Sequence, residues 1–227
     1  RIGRDGLPAT GVERDLELLA ASGSDGNMRT ALISCGVLVL LGSFAGAAQI
    51  AFSDQSVAAG LAHHPGMYFD MSTGGMFAGG SVADFDRDGW PDLFLIGGGQ
   101  TADALFINNQ DGTFTDRASD WGVDALHRGR GTTAGDFTHD GWPDLYVTSG
   151  GPISGPDSVG QHRLYRNNGD GSFTDIAVSA GVNQASPTNT IATGATFGDY
   201  DLDGDLDLFV CTWEGMDGNR LFRNEGD

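Results

Sequence analysis

One twelve-residue pattern recurs three times in this chain, and it constrains the fold more than any other feature. Asp84-Phe85-Asp86-Arg87-Asp88-Gly89-Trp90-Pro91-Asp92-Leu93-Phe94-Leu95 returns as Asp136-Phe137-Thr138-His139-Asp140-Gly141-Trp142-Pro143-Asp144-Leu145-Tyr146-Val147. It returns again as Asp199-Tyr200-Asp201-Leu202-Asp203-Gly204-Asp205-Leu206-Asp207-Leu208-Phe209-Val210. The copies start 52 and 63 residues apart, a period that marks a repeated supersecondary unit. Small residues precede each copy, as in Ala78-Gly79-Gly80, Thr132-Thr133-Ala134-Gly135 and Ala192-Thr193-Gly194-Ala195. A second motif follows: Leu105-Phe106-Ile107-Asn108-Asn109-Gln110-Asp111-Gly112-Thr113-Phe114-Thr115-Asp116, then Leu164 to Asp175, then Leu221-Phe222-Arg223-Asn224-Glu225-Gly226-Asp227.

The punctuation of a unit gives its strands. The small-residue stretch reads as one strand. The apolar run from Pro91 to Ile96, closed by Gly97 and Gly98, reads as a buried strand. Leu105 to Asn109 reads as a third, Asp111-Gly112 as the turn of a hairpin, and Thr113 to Asp116 as a half-exposed fourth. Four antiparallel strands in about 50–60 residues make a propeller blade. The expected fold is all-β, a partial β-propeller of about three four-stranded antiparallel blades, with the small residues on the innermost strand. A sandwich would not repeat one loop motif. Phe52-Ser53-Asp54 and Ala59-Gly60-Leu61 match the tail of a unit, and the third copy stops before its Gly-Ser/Thr-Phe-Thr-Asp half. The repeat region, 49–227, is therefore expected to be truncated at its C-terminus, a fragment of a longer protein.

The Asp loop predicts metal chemistry. Its spacing puts carboxylates at positions 1, 3, 5 and 9 and a backbone carbonyl at position 7. Hard oxygen ligands converging on one point select Ca²⁺, and Gly at position 6 permits the sharp turn. The first copy offers Asp84, Asp86, Asp88 and Asp92 with the carbonyl of Trp90. The third offers Asp199, Asp201, Asp203 and Asp207 with the carbonyl of Asp205. The second offers Asp136, Asp140 and Asp144 with Trp142, and Thr138 replaces the carboxylate at position 3, so it is expected to be the weakest site. An EF-hand would need Glu at position 12, where Leu95, Val147 and Val210 stand. Composition supports geometry over general surface acidity, since residues 49–227 hold 24 Asp and only 2 Glu. The formal net charge of −19, with all 12 bases Arg, argues against a nucleic-acid partner.

Residues 1–48 read differently. Met28-Arg29-Thr30, the apolar run 31–48 and the small residues Ala45-Gly46-Ala47 have the form of a secretory signal peptide. Residues 28–48 are assigned to it, with an uncleaved membrane anchor through 31–48 as the alternative. Residues 1–27 are expected to be upstream translation or a disordered extension. Removal of the signal takes Cys35 with it and leaves Cys211 as the one cysteine, so no internal disulfide is available.

The two motifs together resemble the FG-GAP/VCBS repeats of integrin-α-type propellers, in particular those of the cartilage acidic protein 1 and ASPIC/UnbV family. Residues 50–227 carry the resemblance. It implies a secreted propeller of seven blades with Ca²⁺ between the first two strands of a blade, about 420 residues where this chain has about three blades. The family's C-terminal domain has no counterpart here. The expected function is a secreted, extracellular, periplasmic or cell-surface calcium-binding protein that mediates binding or adhesion to a protein or carbohydrate ligand, with calcium structural and no catalytic residues. The alternative is a carbohydrate-active enzyme of the propeller polysaccharide lyase type. For that, Arg128 and Arg130 beside His127 are the one close basic pair. His63 and His64 read as loop residues, Trp90 and Trp142 as packing residues, His139 as pointing outward and Cys211 as a buried strand residue.

Overall fold

The computed structural model describes residues 51–61, 63, 79–150, 161–183, 191–214 and 218–226, within the unit Phe52–Asp227 apart from residue 51. The assignments made for 1–27 and 28–48, and for His64, lie outside the described residues. Three antiparallel sheets follow one another along the chain. The first contains β1 (Gly80–Ala83), β2 (Asp92–Leu95), β3 (Ala104–Asn108) and β4 (Phe114–Asp116). The second contains β5 (Gly129–Gly135), β6 (Asp144–Ser149), β7 (Arg163–Asn167) and β8 (Phe173–Asp175). The third contains β9 (Ile191–Gly198), β10 (Asp207–Glu214) and β11 (Arg220–Phe222). Strands pair in sequence order within each sheet, so the fold is the expected partial propeller.

Sequence periodicity explains how the sheets stack. All six residues of β6 are buried, because its two faces are covered by different neighbours. Leu145 and Val147 join Phe85, Phe94, Ile96, Leu105, Val123, Tyr165 and Phe173 in one core. Tyr146, between them in sequence, joins Leu164, Val182, Ala192, Leu208 and Val210 in a second. Each core is thus the seam between two adjacent sheets. Phe173 anchors the first seam, with its ring 6.0 Å from those of both Phe85 and Trp121 and 6.4 Å from Tyr165. Burial of side chains this size contributes about 1.5–3 kcal/mol each.

The first strands of successive sheets lie against one another, which is why they are built from small residues. A Cβ on Gly131 of β5 would fall 2.6 Å from the Gly194 Cα of β9, and one on Gly79 would fall 2.7 Å from the Arg130 carbonyl oxygen. Ser81 Oγ and Thr132 Oγ1 meet at 3.2 Å across β1 and β5.

After each fourth strand an Asp starts a turn that a left-handed Gly ends. Asp116 Oδ1 accepts the Ala118 N–H and Asp175 Oδ1 the Ala177 N–H. Gly122 and Gly181 follow at φ 75° and 71°. In the first sheet this turn is the short helix α1 (Ala118–Trp121), which the strand-based reading did not contain. Asp54, Ser56 and Gly60 (φ 76°) repeat the turn upstream. Cys211 lies on β10 as expected but is half-buried rather than buried, like Phe209 on the same face of the strand, which no following sheet covers among the described residues. No helix among the described residues is long and apolar enough to cross a membrane.

Candidate metal centre

Each Asp loop joins the first two strands of its sheet and folds around its own carboxylates. In the first loop Asp84 Oδ1 accepts the Asp88 N–H at 3.0 Å and Oδ2 the Gly89 N–H at 2.9 Å. Asp88 Oδ1 accepts the Trp90 N–H at 2.8 Å. The third loop repeats this with Asp199 on the amides of Asp203 and Gly204, and Asp203 on that of Asp205. The second keeps Asp136 on the Gly141 amide and Asp140 on that of Trp142. Position 6 is left-handed in all three, at φ 91°, 87° and 102° for Gly89, Gly141 and Gly204. Position 4 is left-handed too, at Arg87, His139 and Leu202, where a side chain makes the conformation unfavourable.

The position-9 carboxylates are buried, and both oxygens of each are taken by backbone amides. Asp92 accepts from Phe85 and Asn108 (both 2.8 Å), Asp144 from Phe137 (3.1 Å) and Asn167 (2.8 Å), and Asp207 from Tyr200 (3.0 Å) and Asn224 (2.8 Å). Burial pushes the Asp92 and Asp144 carboxyls up to about 6 despite these amides. Partial burial also raises Asp86, and the charges of Asp88 and Asp84 add to it.

Carboxylate oxygens converge in two loops. Those of Asp84, Asp86 and Asp88 lie within 4.8 Å of one another, as do those of Asp199, Asp201 and Asp207. At about 4 Å two such charges repel by roughly 1 kcal/mol in water and several-fold more where solvent is excluded. Three hard anionic oxygens on a loop are a donor set that fits Ca²⁺. Asp92 lies outside the first trio and Asp203 outside the third. In the second loop the Thr138 hydroxyl turns inward, 3.3 Å from Asp144 Oδ2 and 3.5 Å from Asp136 Oδ1. No carboxylate trio forms there among the described residues.

Several contributors had no role in the sequence reading. Gln110 Nε2 donates to Asp88 Oδ2 at 2.8 Å. Arg223, on the chain just past β11, reaches Asp201 Oδ2 and Asp203 Oδ2, each at 3.1 Å. Asn108, Asn167 and Asn224 recur at one place in the second motif, the only signal that could have identified them. Neighbouring loops also touch. The Arg87 guanidinium lies 5.2 Å from the centre of the Trp142 ring, and His139 Nε2 lies 3.1 Å from Asp205 Oδ1. Trp142 therefore packs as expected. Trp90 is 46% exposed instead, because no preceding loop covers it among the described residues.

The remaining candidates lie elsewhere. His63 Nε2 is 3.3 Å from the Ile96 carbonyl and its ring packs edge-on to Phe106. His127 is buried with Nδ1 3.2 Å from Asp103 Oδ2. Arg128 is buried beside it, at the ends of the strands away from the Asp loops.

Comparison with known proteins agrees with this architecture. The FG-GAP-like repeat profile matches residues 84–147 and 153–210, more than half of the chain. Cartilage acidic protein 1 of Homo sapiens is 38% identical over 125 residues, and those of Xenopus tropicalis and Mus musculus are each 37% identical over 125 residues. Each match covers 52% of this chain and 17% of the relative. With three sheets stacked through small-residue inner strands, and one Asp loop opening each sheet, the chain belongs to the family of FG-GAP-like repeat proteins.

Proposed function

We propose that the chain is a calcium-binding propeller-repeat protein of the extracellular or periplasmic space or cell surface. Ca²⁺ is structural, and the blades present a surface for a protein or carbohydrate ligand. The observation that carries the reading is the convergence of three carboxylates in the first and third loops. Asp84, Asp86 and Asp88 would hold one ion, and Asp199, Asp201 and Asp207 another. A divalent cation supplies charge neutralisation there, and the chain's amides keep the carboxylates aimed inward. The need for such a staple is plain, because Cys211 is a free thiol among the described residues.

Location outside the cell is supported by the signal-like segment 28–48 and by relatives named for cartilage. A binding role rather than catalysis fits the placing of His127, which is buried with Nδ1 3.2 Å from Asp103 Oδ2. Calorimetric titration of the folded chain with Ca²⁺ tests the cation reading. Saturable heat that Asp88→Ala and Asp201→Ala each reduce is expected, and no heat from the wild-type chain would refute it. Incubation with uronide polymers tests the other half, with no cleavage products expected.

A further inference from the structure

The three recurrent asparagines are not equivalent in reach. Asn108 Nδ2 donates to the Pro91 carbonyl of its own loop at 3.1 Å. Asn167 Nδ2 donates to the matching Pro143 carbonyl at 3.2 Å and also to the Phe85 carbonyl of the preceding blade at 2.9 Å. Asn224 Nδ2 donates to the Leu206 carbonyl at 3.4 Å and to the Phe137 carbonyl of the preceding blade at 3.1 Å. Phe85 and Phe137 occupy position 2 of their loops, between the carboxylates at positions 1 and 3. Their N–H groups are already held by the position-9 carboxylates. Residue 2 of the first and second loops is therefore gripped at its N–H by its own blade and at its carbonyl by the next. Asn167 is 1% exposed, so water cannot replace its bond. Arg87 over Trp142 and His139 beside Asp205 tie the same pairs of loops a second time.

We propose that Asn167 is a positioning residue for the cation loop of the preceding blade, so that cation capture by the first loop and seating of the second blade on it are coupled. The proposal rests on the calcium reading above. Coupling of this kind is reciprocal: whatever seats the second blade tightens the first loop, and an ion in the first loop tightens the seat.

The test is Tb³⁺ luminescence of the whole chain, competed with Ca²⁺. The first-loop component is identified by its loss in Asp88→Ala and the third-loop component by its loss in Asp201→Ala. Asn167→Asp keeps the side-chain size and the Oδ1 that accepts the Gly169 N–H, but faces the Phe85 carbonyl with an oxygen. About tenfold weaker binding is expected at the first loop, with the third unchanged, while Asn224→Asp leaves the first loop unchanged. First-loop affinity at the wild-type value in Asn167→Asp, or equal weakening of both loops, overturns the coupling alone. A folded wild-type chain that takes up no Tb³⁺ overturns the cation reading and the coupling together. If Asn167→Asp does not fold, hydrogen exchange on the wild-type chain and Asp88→Ala decides. Ca²⁺ must slow exchange at 167–169 as well as 84–92, and Asp88→Ala must abolish both effects. Slowing confined to 84–92 overturns the proposal.

Discussion

The first and third Asp loops carry the same four carboxylates at the same spacing, yet they neutralise them differently. In the first, Gln110 donates to Asp88, and among the described residues no ion pair reaches Asp84, Asp86 or Asp88. In the third, Arg223 spans Asp201 and Asp203. The amide of Asp205 holds the Asp203 carboxyl below the usual range, and Arg223 adds to that. The difference comes from the residue before the recurrent asparagine, which is Ile107 in the first sheet and Arg223 in the third. A loop motif therefore sets where carboxylates go, while the third strand decides how much of their charge is left for a metal ion.

What the two loops share should dominate any mutation. Asp92→Ala and Asp207→Ala each strip two backbone N–H groups of their acceptor in a buried site. Each is expected to lower stability by about 3 kcal/mol or more, measured by urea unfolding, and to similar extents. A large effect at only one of them would break the equivalence of the scaffolds. The ends of the sheets away from the loops supply a reference. There burial pushes the Asp103 carboxyl up to about 7. A raised folded value means a contribution fully present below about pH 4 and lost as pH rises through 7, with a slope of at most about 1.4 kcal/mol per pH unit. Asp103→Asn should flatten that fall in a pH series of melts while leaving loop affinities alone.

The charge difference itself is tested by exchange. Arg223→Ile should strengthen Ca²⁺ binding at the third loop a few-fold, and Ile107→Arg should weaken the first by a similar factor, both by calorimetry. Unequal responses would sharpen the comparison, and no response would mean that the guanidinium is not a competitor. The smallest effect is expected at Leu202, 87% exposed and left-handed at φ 62°. Leu202→Gly should add about 0.5 kcal/mol to the unfolding free energy, read from urea unfolding.

Strand order, the small inner strands and the loop positions were legible because each depends on local pattern: alternation, turn residues and fixed offsets. Tyr146 shows the limit. Its burial follows from an apolar run, but the seam it serves depends on which sheet covers which face of β6. The same holds for the site. All four carboxylates of the first loop read alike as ligands, yet Asp84, Asp86 and Asp88 converge without Asp92, whereas in the third loop Asp207 converges and Asp203 does not. Arg223 and the cross-blade reach of Asn167 depend on register and on the stacking of neighbouring sheets, which no single unit encodes. Trp90 and Trp142 share a position in the motif and differ in burial for that reason.

The central claim is that divalent cations staple these loops. Its most direct test is the thermal midpoint of the whole chain in excess Ca²⁺ and in excess chelator. At 100-fold over the dissociation constant, binding adds about 2.7 kcal/mol per site, so with two sites a midpoint raised by roughly 10–20 °C is predicted. That rise should be lost when Asp88→Ala and Asp201→Ala are combined. A wild-type midpoint that is the same in Ca²⁺ and in chelator would contradict the account.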